Sequence, residues 1–347
     1  MRTGMEVALP GSMQTSSAPT VFNGNDQVRV AIVQTAPVYL DRERSIDKAI
    51  RKIAEAAAGG ARLVVFSETW LAGYPYWDEG WNSQAEPWMR VREQFFDNAL
   101  RVPSPQYQRL ADAAREHEVV LVMGCNELDT RPGSHTIYNT LLYIGPDGAL
   151  LGRHRKLLPT YVEAAFWGAG DGCDLYTHAT PVGRIGGLIC GEHVMTLARA
   201  RMIQQGEDFH VAVYPGAFNV WSGPKLQVED PDGSHFIGYA SCRAHANEAG
   251  AFVICAVGYI DASDIPADFP MRDSLNIEYA RGGSMVVAPA GIPLVGPVYG
   301  DTIVYADCPA RMIKISKAII DTNGKYGRPD VLQLRYLPEE RGAQLLP

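Results

Sequence analysis

Apolar strand-like segments alternate with amphipathic helix-like segments through the first half of the chain, and this alternation restricts its fold most. Residues 28–34 and 62–67 have the continuous apolar character of buried strands, and residues 45–58 between them have helical periodicity. A second helix is predicted over residues 106–117 and leads into a strand over residues 119–123. Segments in β-α-β order pair their strands in parallel and cover the sheet faces with helices, so the sequence predicts an α/β fold.

Hairpins interrupt this alternation. Residues 136–144 and 150–155 flank a Gly145-Pro-Asp-Gly148 turn and predict the first hairpin. The second half repeats both themes. Strands are predicted at residues 182–190, 209–214 and 252–257, a helix at residues 235–247 and a hairpin at residues 283–297. No interior linker is visible. We therefore predict one domain over residues 27–335, preceded by a disordered extension (1–26) and followed by a short tail (336–347).

The composition excludes some classes of partner. Hydrophobic residues make up 46% and charged residues 20% of the 347 positions, enough for a sizeable core. The formal net charge of −8 argues against nucleic acid or an acidic membrane surface, since both bind basic patches. No segment approaches the roughly 18 consecutive apolar residues of a membrane span. The six cysteines show no short pairing pattern, so we expect reduced thiols and a cytoplasmic protein.

Cys190 ends an apolar run and is followed at once by Gly191-Glu-His193 and a helical stretch, residues 194–205. A buried strand that turns sharply into a helix presents its last side chain at the sheet edge, near the positive helix amino terminus. The same arrangement places the nucleophile of serine hydrolases. Gly191 also leaves an N–H group unobstructed beside the sulfur, as an oxyanion donor needs. Taken alone, this segment also fits an unreactive core cysteine.

Two further ionisable residues end predicted strands. Glu68 follows the second strand and fits a general base whose pKa burial raises, or a carboxylate that caps a loop. Lys156 follows the first hairpin and fits a group that stabilises developing negative charge, or a solvated strand edge. Glu163 fits a partner that orients the lysine, or a surface carboxylate. Together with Cys190, Glu68 and Lys156 supply a nucleophile, a base and an electrophilic stabiliser.

Other reactive clusters give weaker signals. Cys242 and His245 lie three apart on a predicted helix, a spacing that can place two metal ligands on one face, but no second pair accompanies them. His193 suggests a dyad with Cys190, yet such partners are usually remote in sequence. We therefore predict no metal and no cofactor, and we interpret His193 as a pocket or structural residue.

Three segments resemble the signature motifs of the nitrilase superfamily, and the true nitrilase branch most of all. They are Ser67-Glu-Thr-Trp-Leu-Ala-Gly-Tyr-Pro75, His154-Arg-Lys-Leu-Leu-Pro-Thr160 and Cys190-Gly-Glu-His193. The resemblance covers about residues 28–335 and includes Tyr138-Asn-Thr-Leu-Leu142. Because the motifs follow the family's order with roughly matching separations, the resemblance is highly specific.

The resemblance implies a four-layer αββα sandwich that pairs through helices into an αββα–αββα homodimer, and such dimers commonly extend into spirals. It implies that Glu68 is the catalytic base, Lys156 the lysine, Cys190 the nucleophile and Glu163 the additional glutamate that positions the lysine. The implied reaction converts a small-molecule nitrile into a carboxylic acid and ammonia through a cysteine thioimidate and an acyl-enzyme.

One residue departs from the nitrilase pattern. The branch usually carries tryptophan directly after the nucleophile, where this chain has Gly191. The loss of an indole removes roughly 150–250 Å² of side-chain surface from a pocket wall. We therefore expect a preference for aryl or arylaliphatic nitriles and some amide as co-product. By position, Tyr74, Trp167 and His193 are expected to bind substrate beside Gly191, with core or interface packing as the alternative for each.

Three other functions stay open. An amidase or carbamoyl hydrolase uses the same Glu-Lys-Cys triad, and a cyanide-degrading relative is a narrower variant. A catalytically silent, filament-forming scaffold is the third, and the intact Glu68, Lys156 and Cys190 argue against it.

Overall fold

The structure, a computed structural model, describes residues 20–77, 85–218 and 236–338. Its strands are β1 (Gln27–Gln34), β2 (Leu63–Phe66), β3 (Val120–Leu128), β4 (Ile137–Ile144), β5 (Leu150–Arg155), β6 (His178–Thr180), β7 (Gly183–Ile189), β8 (Phe209–Tyr214), β9 (Phe252–Val257), β10 (Gly282–Ala288), β11 (Ile292–Tyr299) and β12 (Thr302–Pro309). Its α-helices are α1 (Arg42–Ala58), α2 (Ala85–Asp97), α3 (Pro105–Glu116), α4 (Thr196–Gln204), α5 (Ile237–Ala249) and α6 (Ala310–Ile319).

Two mixed sheets of six strands form the centre of the domain. Their spatial orders are β12-β1-β2-β3-β4-β5 and β11-β10-β9-β8-β7-β6. In each sheet three central strands are parallel, β1 to β3 and β7 to β9, and the strands that flank them are antiparallel. The predicted hairpins are confirmed as β4–β5 and β10–β11. Strand β12, which the sequence interpretation did not assign, returns to pair with β1.

Strand β1 shows why the strand segments are apolar throughout. Val30 and Ile32 point between the sheets into the same core cluster as Val211 of β8. Ala31, between them, points outward and belongs to the cluster that contains Ile46 of α1. Because successive side chains of a strand alternate in direction, a sheet covered on both faces needs apolar residues at every position. Helices α1 and α3 cover one sheet and α4 and α5 the other, so the predicted αββα sandwich is confirmed.

Both ends of the domain differ from the predicted boundaries. Phe22 lies in a short 3₁₀ helix, is fully buried, and stacks on Phe209 with ring centroids 4.7 Å apart. Residues 20–26 therefore belong to the packed domain and not to a disordered extension. Near the other end, the guanidinium of Arg201 lies 4.0 Å from the ring of Tyr336, so packing continues beyond residue 335. The remainder of the predicted extension and tail, residues 1–19 and 339–347, lies outside the described residues.

Two further findings concern the cysteines and the helices. All six cysteines fall within the described residues, and all six are free thiols. None of the helices in the described ranges has the length and apolar character needed to cross a lipid bilayer.

Candidate active site

Cys190 lies at a sharp elbow between β7 and α4. The strand ends at Ile189, and Cys190 opens a short 3₁₀ helix that precedes α4. The backbone φ of Cys190 is +48°, in the left-handed region that residues with a Cβ rarely adopt. This turn directs the side chain to the sheet edge, as the sequence predicted, and only 4% of the residue is exposed.

The opposite sheet supplies the two charged groups of the predicted triad. Glu68 follows β2 and Lys156 follows β5, and both are buried. The Lys156 Nζ lies 3.0 Å from Glu68 Oε1 and 2.6 Å from Glu163 Oε2. The alternatives are therefore wrong: Glu68 is not a loop cap, Lys156 does not lie on a solvated strand edge and Glu163 is not a surface carboxylate. The ammonium bridges two carboxylates in a site closed to bulk water.

The two carboxylates have further donors that fix their orientation. Glu68 Oε1 accepts a hydrogen bond from Asn139 Nδ2 at 2.6 Å. Among the described atoms, Glu68 Oε2 has no hydrogen-bond partner, so it is the oxygen free to take a proton. Glu163 accepts hydrogen bonds from the Tyr74 hydroxyl at 2.9 Å and the Thr160 backbone N–H at 2.6 Å. Sequence reasoning missed Asn139, although an amide inside an apolar strand is a usable signal.

The charged side chains of the site shift one another's pKa values. Burial raises the pKa of Glu68 from 4.5 to about 7, although the charge of Lys156 opposes that shift. Burial disfavours the ammonium of Lys156, but the negative charges of Glu68 and Glu163, joined by that of Cys190 once its thiolate forms, outweigh it and raise the lysine pKa. At neutral pH the lysine is therefore charged and the base is close to its titration midpoint.

The thiol is neutral at rest. Burial raises the pKa of Cys190 well above its usual range, and the charges of Glu68 and Glu163 add to that shift. The charge of Lys156 and a hydrogen bond from the Gly191 backbone act in the opposite direction. A proton can thus pass from the thiol to a base poised near neutrality. The arrangement can attack an electrophilic carbon and stabilise negative charge on the attached atom.

The predicted substrate contacts lie at different places around this triad. Tyr74 reaches the site directly, because its hydroxyl binds Glu163 and its ring lines a small cavity beside Glu68. The Trp167 indole lies behind it, with ring centroids 5.5 Å apart, and donates to Asn126 Oδ1 at 2.8 Å. A larger cavity lies at the start of β7, at the opposite end of that strand from Cys190, and has no part in this chemistry.

Gly191 packs against a residue of the lysine motif. A Cβ atom at this position would lie 2.9 Å from Thr160 Oγ1, closer than real Cβ contacts. A larger side chain at position 191 therefore has to displace Thr160, whose backbone N–H holds Glu163.

His193 lies beneath the nucleophile and is fully engaged with protein atoms. Its Nδ1 lies 3.0 Å from the Cys190 carbonyl oxygen and its Nε2 lies 3.1 Å from His210 Nε2. Glu207 continues the chain, with one oxygen 2.8 Å from His210 Nδ1 and the other 2.8 Å from His245 Nε2. The geometry favours a supporting role for His193 over the predicted substrate contact.

The same cluster bears on metal binding. Among the described residues, Glu207, His210 and His245 form the group whose ligand atoms, within 4.8 Å of one another, are close enough to hold a metal ion. Both Glu207 oxygens already accept hydrogen bonds from the imidazoles, which accounts for the burial of all three residues. Cys242, the other residue of the weak metal signal, lies 3.9 Å from the Tyr214 hydroxyl instead.

Known proteins match most of the length of this chain. The carbon-nitrogen hydrolase family model matches residues 29–317. Nitrilase 2 of an unknown prokaryotic organism is 36% identical over 321 residues, which cover 91% of this chain and 94% of the relative. The aliphatic nitrilase of Rhodococcus rhodochrous is 35% identical, with 89% of this chain and 82% of the relative covered.

A solved structure gives the same fold. Nit3 of Saccharomyces cerevisiae, a member of branch 10 of the nitrilase superfamily, matches with a TM-score of 0.66 at 22% identity, over 87% of this chain and 97% of that one. The family model and the two nitrilase relatives show that the chain belongs to the carbon-nitrogen hydrolase family, on the nitrilase branch of the nitrilase superfamily.

Proposed function

We propose that this protein is a nitrilase that hydrolyses organic nitriles to carboxylic acids and ammonia, with Cys190 as the covalent nucleophile. The observation that carries the proposal is the buried Glu68–Lys156–Glu163 cluster, joined by contacts of 3.0 Å and 2.6 Å, beside the strained Cys190 elbow. Two nitrilase relatives at 36% and 35% identity support the nitrile as the substrate class.

The proposed reaction begins when Glu68 takes the thiol proton and the sulfur attacks the nitrile carbon. The nitrile nitrogen gains negative charge, which the Lys156 ammonium and the Gly191 N–H stabilise, and a proton from Glu68 converts it into the thioimidate. One water adds and ammonia leaves, which gives a thioester. A second water, activated by Glu68, releases the acid and restores the thiol. The sum is one nitrile and two waters to one acid and one ammonia.

Gly191 is the basis for the proposed substrate preference. Without an indole after the nucleophile, the pocket gains room for aryl or arylaliphatic nitriles. The same absence leaves the tetrahedral intermediate less constrained, so we propose that part of it releases amide instead of ammonia. The Rhodococcus relative is named an aliphatic nitrilase. A comparison of aryl with aliphatic nitriles as substrates therefore tests this part of the proposal most directly.

We also propose that the chain forms a homodimer through its α4–α5 layer and assembles further from there. Val194 and Leu197 support this assembly, since 63% and 69% of their surface is exposed on the outer side of the nucleophile's sheet. Apolar residues that are exposed together in this way commonly mark an interface.

Ammonia release from matched nitriles and amides tests the proposed function. We expect turnover of at least one aryl nitrile and none above background for Cys190→Ala. Faster turnover of the amides would favour the amidase alternative. A wild type no better than the variant on any compound would leave only the scaffold reading.

A further inference from the structure

Glu192 lies two residues after the nucleophile and is completely buried. Its Oε2 accepts a hydrogen bond from the Ile189 backbone N–H at 2.7 Å. The same oxygen lies 2.8 Å from His154 Nε2, and Oε1 accepts a hydrogen bond from the Leu157 backbone N–H at 2.7 Å. One carboxylate thus holds three donors.

The three donors flank the catalytic residues on both sheets. Ile189 directly precedes Cys190 at the end of β7, in one sheet. His154 and Leu157 lie on either side of Lys156 at the end of β5, in the other sheet. The facing sides of the two sheets pack through apolar residues such as Leu141 and Ile189, and such packing has no directional preference. The hydrogen bonds of the Glu192 carboxylate are directional, so they fix how the two strand ends lie relative to each other.

The charges on Glu192 and His154 strengthen the contact between them. Burial alone would raise the pKa of Glu192, but the neighbouring His154 and the two backbone donors lower it below its ordinary value. Burial likewise opposes charge on His154, and Glu192 outweighs it, so the histidine pKa is raised. Each shift favours the ionised form of its group, and charge-assisted hydrogen bonds are the stronger and better oriented kind.

We infer that Glu192 is a positioning residue that fixes the spacing between the Lys156 ammonium and the Cys190 sulfur. Its carboxylate bonds to backbone N–H groups and an imidazole, and not to the side chains of Glu68, Lys156 or Cys190. This inference rests on the proposed function, because that spacing matters only if both groups act on one carbon–nitrogen bond. A displacement of about 1 Å in such a pair is enough to cost on the order of 100-fold in rate.

Glu192→Gln tests the inference while preserving shape. The amide loses the charge and presents an NH₂ group to donors, so we expect kcat to fall about 10-fold to 100-fold with KM changed less than about threefold. Lys156 should also drift from Glu68, so the acid limb of kcat/KM should move to higher pH. Alkylation of Cys190 by iodoacetamide, followed by peptide mass, should slow for the same reason.

Asp129→Asn is the matched control. Asp129 is also buried and is held by Arg131 and Ser134, not by a catalytic residue. Its variant should keep the wild-type kcat, acid limb and alkylation rate. If Glu192→Gln does not fold, His154→Gln takes its place, since a glutamine there can still donate to Glu192 and should give a smaller loss of the same kind.

The outcomes separate the inference from the proposed function. A folded Glu192→Gln with unchanged kcat, acid limb and alkylation rate would overturn the inference. So would a loss of kcat that only follows the folded fraction. A wild type inactive on every nitrile and amide would count against the proposed function, and the alkylation rates of the variants would then decide the inference alone.

Discussion

Glu68 should set the acid limb of the pH–activity profile. Its pKa is raised to about 7 by burial, and only its carboxylate form can accept the thiol proton. As the pH rises through that value the carboxylate fraction grows, so kcat/KM should increase over the same interval. Asn139→Ala removes a hydrogen bond that lowers this pKa, so the limb should move to higher pH. Initial rates between about pH 5 and pH 9 test both expectations, and a limb near the ordinary glutamate pKa would contradict them.

Gly191 and Thr160 should be coupled in substrate selection. Gly191→Trp alone should lose activity on all nitriles, because the new side chain displaces Thr160 and, through its backbone, Glu163. Thr160→Ala removes the oxygen that the new Cβ atom would meet, so in that background small nitriles should regain turnover while aryl nitriles stay at least about tenfold slower. The measurement is kcat/KM for an aliphatic and an aryl nitrile in the wild type, the two single variants and the double variant. Equal recovery of both substrates would remove the proposed size preference.

At the level of elements, the elbow at Cys190 stores backbone strain that a stability measurement can detect. With φ at +48°, the position favours glycine, so Cys190→Gly should be more stable than Cys190→Ala by about 1 kcal/mol. Cys255 lies in β9, outside the positive-φ residues, and there the glycine variant should be the less stable one. Urea unfolding of the four variants decides this. The same order at both positions would mean that the elbow is unstrained.

The elements themselves were largely predictable, because burial on both faces leaves an unmistakable apolar run. The predicted strand at residues 209–214 and the two hairpins are confirmed in place. The helix after the nucleophile begins at Thr196 and not at 194, because a 3₁₀ turn intervenes. Residues 20–26 were misjudged because Phe22, a single buried ring, holds a segment of otherwise polar composition.

The site was predictable only where a side chain carries its own chemistry. Cys190, Glu68 and Lys156 could be proposed from strand ends and motif order. Glu192 also contacts His154 and Leu157, 38 and 35 residues away, and His193 also contacts His210, 17 residues away. No local sequence pattern predicts such contacts or which side of the nucleophile a side chain will face. For that reason His193 was expected in the pocket, although its ring nitrogens face Cys190's carbonyl and His210.

At the scale of the whole molecule, the exposed α4 layer should control assembly. Leu197→Glu places a charge on a residue that is 69% exposed, and burial of that charge in an interface is costly. We expect the variant to be smaller than the wild type by light scattering after size exclusion, with an unchanged circular dichroism spectrum. Met89→Glu on α2, where the residue is 55% exposed, is the control and should not change the mass. An unchanged oligomer in Leu197→Glu would place the interface elsewhere.

The proposed function depends above all on the covalent role of Cys190, and a measurement of the mass of the intact protein tests that role most directly. The wild type would be mixed with a slowly hydrolysed aryl nitrile, quenched in acid during turnover, and its mass compared with that of Cys190→Ala treated alike. We predict a mass increase equal to one acyl or thioimidate group, located by digestion on the peptide that contains Cys190 and absent from the variant. Turnover without any adduct, or an adduct on another residue, would contradict the account.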